Sequence, residues 1–364
     1  MMEFKGVYTA LVTPFVNGGV DWKALRELVE MQVKGRVAGI VPVGTTGESP
    51  TLSCEEHLKV IEAVVETAAG RCTIIAGTGA NSTEEAVHLT REAKAVGADA
   101  TLQVTPYYNK PTQEGLYRHF STVADKVGLP VVLYNVPGRS GVPIAETTVA
   151  RLAKNPVIAA VKEAAGSVDR VSMIRELCDI TVLSGDDSLA LPMMAVGASG
   201  VISVSSNLIP AEMTELVEAA AAGNFARALE LHRKYYCLFR DQFIETNPIP
   251  IKAAMAMAGL IKTAVGFFSA PGGGTATASV SGNPISGAWA EGFMSRGSSY
   301  GAIVKHGGGM ALEPSPTRRV PASFFEGAPR YHTGFINPAY ERAAIIRTDE
   351  SVLTPGQMKA IAGA

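Results

Sequence analysis

The sequence predicts an α/β protein that folds as a (β/α)8 (TIM) barrel, followed by added C-terminal helices and a low-complexity tail. Short apolar runs rich in Val, Ile and Thr recur at a spacing of roughly 25 residues, and segments with helical periodicity separate them. Each run is hydrophobic nearly throughout, which is typical of strands buried on both faces of a parallel sheet. Eight such units match the roughly 200–250 residues of a closed barrel. An open doubly wound sheet is the alternative, but no G-x-G-x-x-G motif follows the first run.

The apolar runs are the predicted strands. They span Gly6–Phe15, Ala38–Gly44, Cys72–Thr78, Ala100–Pro106, Val131–Val136, Val157–Val161, Ile180–Ser184 and Gly200–Ser205.

The segments between these runs carry helix signals. Asp21 is placed to cap the first helix, Ser53 precedes Glu56 at capping-box spacing, and Ser82 or Thr83 opens the third helix. The other predicted helices are Gln113–Val127, Ala145–Ala153, Val168–Leu177, Leu189–Val196 and Ala211–Ala222, with Phe225–Phe243 and Pro250–Leu260 added after the barrel.

Composition divides the chain into three regions. The barrel occupies 1–224 and a helical region occupies 225–266. From about Gly266 the sequence becomes rich in Gly, Ser, Ala and Pro and loses helical periodicity. We therefore expect 267–364 to be a linker or a disordered tail.

Charge and residue usage exclude several classes of function. The formal net charge of −2 predicts no nucleic-acid partner, and no apolar stretch approaches the ~18 residues of a membrane span. The N-terminus lacks the features of a signal peptide, so a cytoplasmic protein is expected. The four cysteines form no C-x-x-C pair and are expected to be reduced and mostly buried. The scattered histidines indicate no metal site, and no cofactor is expected.

Polar residues follow the apolar runs, where a barrel of this kind carries its chemistry. Lys162 follows the run Val157–Val161 and would project into the barrel mouth, where burial favours the neutral amine that attacks a carbonyl. An ion pair with Glu163 or a nearby Asp is the alternative, although adjacent strand residues point to opposite faces. Tyr134 ends the neighbouring run and is either a proton shuttle or a core tyrosine.

Three further residues at this rim have two readings each. Thr45 and Thr46 lie in a glycine-flanked turn, where they either hold a carboxylate or cap the following helix. Arg139 lies in a Pro-Gly loop and is either a clamp for a second carboxylate or a solvated surface arginine.

Seven motifs, in order from residue 4 to about 266, resemble the dihydrodipicolinate synthase family of pyruvate-dependent aldolases. Each motif is weak alone, but seven in order on the predicted strands are specific. They are Gly44–Glu48, Ala76–Asn81, Thr105–Asn109, Tyr134–Arg139, Val161–Glu163, Ser184–Asp187 and Asn247–Lys252.

The resemblance implies condensation of pyruvate with aspartate-4-semialdehyde in lysine biosynthesis, by a homotetramer built of tight dimers. Lys162 would form the Schiff base, and Tyr134, Thr45 and Tyr108 the proton relay, with Tyr108 reaching in from a neighbouring subunit. The substrate-binding residues would be Thr46 for the pyruvate carboxylate, Arg139 for the semialdehyde carboxylate, and Gly185 and Ile202 through backbone groups.

The resemblance also implies inhibition by lysine in a cleft between subunits. The matching residues are Ser49, His57, Asn81, Glu85 and Tyr107. Pro50 and Cys54 depart from the pattern of the most sensitive members. Sister families that act on sugar acids such as sialic acid are the alternative, and they tend to lack an arginine matching Arg139.

The tail has a resemblance of its own, to the end of phage tail tape-measure proteins. It rests on Phe325–Gly334, Glu341–Arg347 and Val352–Gln357. This resemblance implies that 267–364 is a fusion to the barrel, and an unrelated flexible extension is the alternative. Because the family continues past 266 with further helix that this sequence lacks, a non-catalytic scaffold is a competing hypothesis. A phage structural component is a third, without support in residues 1–266.

Overall fold

The computed structural model describes residues 3–263, and these residues form the predicted barrel. Residues 264–266 and the tail at 267–364, with its tape-measure resemblance, lie outside the described residues. Eight parallel strands close into a ring in the order β1, β10, β9, β8, β7, β6, β5, β4. The strands are β1 (Gly6–Ala10), β2 (Phe15–Val16), β3 (Gly19–Val20), β4 (Gly39–Val41), β5 (Thr73–Gly77), β6 (Ala100–Val104), β7 (Val131–Asn135), β8 (Ile158–Glu163), β9 (Thr181–Ser184) and β10 (Gly200–Ser203).

Helices surround the ring and extend beyond it. They are α1 (Trp22–Lys34), α2 (Cys54–Ala68), α3 (Thr83–Ala95), α4 (Gln113–Val127), α5 (Pro137–Ser140), α6 (Glu146–Leu152), α7 (Asp169–Leu177), α8 (Ala190–Ala195), α9 (Pro210–Ala221), α10 (Phe225–Asp241) and α11 (Ile249–Met257). None of the helices within 3–263 is both long enough and apolar enough to cross a membrane.

The predicted helix caps are confirmed. The side chain of Asp21 accepts from the backbone N–H of Ala24, and Ser53 and Glu56 form a reciprocal capping box at the start of α2. Of the two candidates for α3, Ser82 is the cap, and its hydroxyl accepts from the N–H of Glu85.

Three sequence predictions were wrong in detail. The first strand ends at Ala10, and Phe15–Val16, which follows Pro14, instead pairs with Gly19–Val20 in a separate hairpin. Arg139 lies on the short helix α5 rather than in a loop. The four thiols are free, as expected, but they are not mostly buried. Cys54 and Cys237 are exposed, and Cys72 and Cys178 are half-buried.

The ring closes between its first and last strands at a glycine pair. Gly6 of β1 is in register with Gly200 of β10. A Cβ atom on Gly200 would overlap the carbonyl oxygen of Gly6, so the two backbones approach this closely only without a side chain. The closed ring leaves its eight strands without an unpaired edge.

The barrel interior is packed with apolar side chains below the carboxyl-terminal rim. Phe4 and Tyr8 fill its amino-terminal end, and Tyr134 and Ile202 belong to the same buried cluster. Larger clusters pack the outer faces of the strands against the helices. The polar residues at the rim therefore lie directly above a closely packed apolar core, which holds their strands in place.

Candidate active site

Lys162 and Tyr134 lie side by side at the rim. They are register partners on the parallel strands β8 and β7, so their side chains point to the same face. Lys162 Nζ is 4.1 Å from the centre of the Tyr134 ring, and the two residues are 5% and 6% exposed. A buried amine thus faces a phenol, which is an arrangement suited to carbonyl chemistry with proton transfer.

The carboxylate next to Lys162 in the sequence is bound elsewhere. Both carboxylate oxygens of Glu163 accept from the side-chain amide of Asn135, and Arg170 Nε donates to Oε2 at 2.9 Å. Within residues 3–263 no carboxylate forms an ion pair with Lys162. The alternative in which Lys162 is a structural partner of Glu163 is therefore excluded.

Asp186 adds a titratable group beside this pair. Burial raises its pKa to about 6, and the positive charge of Lys162 opposes the rise. Asp186 follows β9, whose Leu183 is in register with Lys162. The local electrostatics around Lys162 therefore include the carboxyl group of Asp186.

The loop at Gly44–Glu48 is held in a strained conformation. Val43, just before the loop, and Glu48, its last residue, have φ angles of 47° and 58°, in the left-handed region that side chains disfavour. A Cβ atom on Gly77 of β5 would overlap the carbonyl oxygen of Val43, so the loop packs directly onto bare backbone there. Thr46 is buried and Thr45 is half-buried.

Two residues from the C-terminal helical region brace this loop. Asn247 Nδ2 donates to Thr46 Oγ1 at 2.9 Å. Lys252 Nζ lies 2.6 Å from Glu48 Oε1 and donates to the carbonyl oxygen of Thr13 at 2.9 Å. Lys252 also stands over the Phe15 ring, 4.4 Å from its centre. Burial lowers the pKa of Lys252, and the Glu48 carboxylate opposes that effect.

Arg139 is tied to the same region. Its NH2 group donates to the backbone carbonyl of Asn247 at 3.1 Å. Arg139 is exposed and makes this bond from the surface, so both of its sequence interpretations stay predictions.

The two predicted backbone contributors lie on adjacent strands of the ring. Gly185 follows β9, and its N–H donates to the carbonyl oxygen of Glu163 at 2.7 Å. Ile202 is in the middle of β10 with its side chain buried in the interior cluster.

Two of the proposed relay residues, Thr45 and Tyr108, form no hydrogen bond with Lys162 or Tyr134 among the described residues, and Tyr108 is the more exposed of the two. It is 90% exposed, and its φ of 70° is again in the left-handed region. Among the described residues it has no hydrogen bond to Lys162, Tyr134 or Thr45. An exposed aromatic on strained backbone is a costly arrangement within one subunit.

The residues matched to a lysine site form two adjoining groups. His57 Nε2 is 2.9 Å from the carbonyl oxygen of Gly77, which accepts only, so Nε2 carries the proton and Nδ1 accepts from Ser49 Oγ at 3.4 Å. Burial lowers the pKa of His57 to about 4, so the ring is neutral. Asn81 Nδ2 donates to the carbonyl of Tyr107 at 3.4 Å. Burial raises the pKa of Tyr107, and the Glu85 charge adds to the rise.

No metal-binding cluster occurs in the described part of the chain. Groups of three or more His, Cys, Asp or Glu side chains with suitable geometry are absent from residues 3–263.

Comparison with known proteins decides the family. The model of the dihydrodipicolinate synthetase family matches residues 3–267. The chain belongs to this family. A 4-hydroxy-tetrahydrodipicolinate synthase of Geotalea uraniireducens is 55% identical over 258 residues, which are 70% of this chain and 89% of the relative. Family membership thus covers the barrel and the helical region up to the start of the tail.

Solved structures of the family have the same fold. The chloride-inhibited dihydrodipicolinate synthase of Acinetobacter baumannii, complexed with pyruvate, is 48% identical, with a TM-score of 0.72 over 73% of this chain and 93% of that chain. The enzyme of Cyanidioschyzon merolae with lysine bound is 40% identical, with a TM-score of 0.69 over 71% and 89%.

Sequence reasoning missed the roles of Glu48, Asn247 and Lys252. The motif Asn247–Lys252 contributed to the family resemblance, but no function was attached to it. One signal was present, because Lys252 is a charged residue in the otherwise apolar helix α11 and so needs a buried partner.

Proposed function

We propose that the chain is a class I aldolase that condenses pyruvate with aspartate-4-semialdehyde to 4-hydroxy-tetrahydrodipicolinate in lysine and diaminopimelate biosynthesis. The observation that carries the proposal is the buried Lys162 amine beside the Tyr134 phenol, with no carboxylate paired to it among residues 3–263. Membership of the dihydrodipicolinate synthetase family supports the substrates.

In the proposed reaction the Lys162 amine adds to the keto carbon of pyruvate, and loss of water from the carbinolamine leaves an iminium ion. Loss of a methyl proton gives an enamine, whose carbon attacks the aldehyde carbon of the second substrate. The amino group of that substrate then attacks the iminium carbon, which closes the ring and releases Lys162. Tyr134, Thr45 and Tyr108 from a neighbouring subunit move the protons.

Substrate carboxylates are bound at two places in this proposal. Thr46 donates to the pyruvate carboxylate, and Arg139 binds the carboxylate of the semialdehyde through its fork of donors. Backbone groups of Gly185 and Ile202 line the pocket. The bond from Arg139 to Asn247 supports the two-carboxylate reaction over a sugar-acid aldolase, because it places a guanidinium next to the residue that contacts Thr46.

We further propose a homotetramer, a dimer of dimers, in the cytoplasm. The exposure of Tyr108 supports an assembly that covers it, since a catalytic phenol needs a water-excluded site. Sedimentation of the full chain tests the assembly, and a monomer that still turns over would contradict the role of Tyr108. Cell fractionation tests the location.

The division of the chain at 266/267 is also a proposal. The end of the family match at residue 267 supports it. Limited proteolysis is expected to cut first beyond that boundary, and first cuts inside 1–266 would contradict it.

Borohydride reduction in the presence of pyruvate tests the aldolase. We expect intact mass to rise by one reduced pyruvyl group per chain, and peptide mapping to place it on Lys162. Lys252 provides an internal control, since it is also buried but is paired with Glu48. No adduct would favour the non-catalytic scaffold, and turnover of sugar acids instead of the semialdehyde would favour the sister activity.

A further inference from the structure

Asn247 contacts both residues that bind a substrate carboxylate in the proposed function, Thr46 and Arg139. Its side-chain amide donates to Thr46 Oγ1, and its backbone carbonyl accepts from Arg139. Asn247 is 6% exposed and lies between α10 and α11, outside the barrel strands. One residue from the helical region therefore connects the two predicted binding positions.

The bond from Asn247 determines what the Thr46 hydroxyl can do. A hydroxyl group has one hydrogen to donate and two lone pairs to accept with. Because Thr46 Oγ1 accepts from Asn247 Nδ2 at 2.9 Å, its own hydrogen points elsewhere and is available to a ligand acceptor. An oriented hydroxyl binds an anion without the entropy cost of fixing a freely rotating donor.

The second amide atom of Asn247 also points to a ligand. Asn247 Oδ1 is buried and has no hydrogen-bond partner among the described residues. A buried acceptor without a partner costs free energy, and a bound water or a ligand hydroxyl would satisfy it.

We propose that Asn247 is a positioning residue that aims the Thr46 hydroxyl at the pyruvate carboxylate and holds Arg139 in place for the second substrate. This inference rests on the proposed function. The two effects separate chemically, because the amide side chain acts on Thr46 whereas the backbone carbonyl acts on Arg139. Lys252, five residues further on, fixes the same segment to Glu48.

Substitution of the side chain alone should affect mainly pyruvate. In Asn247→Ala the Thr46 hydroxyl is free to rotate, and we expect KM for pyruvate to rise about tenfold. In the isosteric Asn247→Asp, a carboxylate takes the Thr46 hydrogen and repels the pyruvate carboxylate, so KM should rise about 100-fold. In Asn247→Ala, which adds no charge next to Arg139, kcat and KM for the semialdehyde should change less than threefold.

A double-mutant cycle distinguishes positioning from general loosening of the fold. If Asn247 acts through Thr46, then Thr46→Val together with Asn247→Ala should be no worse for pyruvate than Thr46→Val alone. Additive effects, or equal losses for both substrates with a fall in melting temperature, would overturn the inference. Asn155→Ala is the control. Asn155 lies just before the start of β8, at the end of the strand opposite Lys162, and its side-chain amide is also hydrogen-bonded, so its loss should leave KM for pyruvate unchanged.

Borohydride trapping across a range of pyruvate concentrations separates this inference from the proposed function. If the wild-type full chain forms no adduct, the aldolase assignment fails. If it does and the Asn247 variants trap pyruvate at the same half-saturating concentration, only the role of Asn247 fails. If the half-saturating pyruvate concentration rises in the variants by the same factor as KM, and the final adduct yield is unchanged, both the aldolase assignment and the role of Asn247 are supported.

Discussion

Glu48 and Lys252 are 204 positions apart in the sequence, yet they form an ion pair in which both side chains are 1% exposed. The pair joins the strained loop that carries Thr45 and Thr46 to helix α11. A charge so deeply buried is tolerated only with its partner, so each residue depends on the other. The C-terminal helical region is therefore part of the machinery that shapes the rim.

Removal of one partner of this pair should destabilise the protein. We expect Lys252→Met to lower the free energy of unfolding by about 3–5 kcal/mol, because Glu48 is left as an unpaired buried charge. Adding Glu48→Gln to Lys252→Met should restore part of that loss. Urea denaturation measures both. The exposed pair Lys59–Glu55 is the control, and Lys59→Met should leave the midpoint unchanged. A Lys252→Met midpoint equal to wild type would contradict the buried-pair account.

Loss of the Tyr134 hydroxyl should impair catalysis and spare the fold. We expect Tyr134→Phe to lower kcat about 10²–10⁴-fold, because the hydroxyl that moves protons in the proposed function is gone while the ring next to Lys162 remains. Steady-state kinetics and the melting temperature measure the two effects. Tyr8→Phe removes another buried phenol, next to Phe4 at the opposite end of the interior, and should retain activity. Equal losses in both variants would mean that Tyr134 is only a core residue.

Two buried histidines should make the fold sensitive to acid. Burial lowers the pKa of both His57 and His119 from 6.5 to about 4. The unfolded chain therefore takes up protons at a higher pH than the folded one. Stability from this source is complete above about pH 6.5 and is lost as the pH falls towards 4, by about 3 kcal/mol for each histidine.

Denaturation midpoints at pH 7.5, 6 and 5 test this dependence. We expect His57→Gln and His119→Gln each to flatten the decline, since glutamine does not titrate. His88→Gln provides the control because its side chain is exposed. A decline that is as steep in the double variant as in the wild type would refute the assignment.

Lysine should inhibit the enzyme through Glu85. We expect millimolar lysine to lower the rate, and Glu85→Gln to weaken inhibition about 10- to 100-fold, because a carboxylate that pairs with the ligand ammonium is lost. Rates titrated against lysine measure this effect. Glu84→Gln on the same helical turn controls for charge, since Glu84 is not among the matched residues. Rates unchanged at millimolar lysine would reject the site, and Pro50 and Cys54 would then be the first residues to exchange.

Much of the barrel followed from local signals in the sequence. The apolar runs fixed the strands because strands covered on both sides exclude polar residues, and Ser53 with Glu56 marked a helix start because the capping box spans four residues. Lys162 was predictable because its own strand and the pleat determine where it points.

Contacts across long sequence separations were not predictable in this way. The bonds from Asn247 to Thr46 and from Lys252 to Glu48 exist only after the ring has closed and α11 has packed on it. No periodicity or spacing encodes such a pairing. Tyr108 differs again, because the surroundings that would explain its exposure belong to another subunit in the proposed assembly.

The glycine pair at which the ring closes, Gly6 and Gly200, has a consequence during synthesis on the ribosome. The strand that begins at Gly6 emerges early, but its neighbour on one side is made almost 200 residues later. Until then its backbone groups on that side have no partner, and an open strand edge invites pairing with other nascent chains. A methyl group at residue 200 would leave that edge open permanently, so we expect Gly200→Ala to reduce the yield of soluble protein when the gene is expressed.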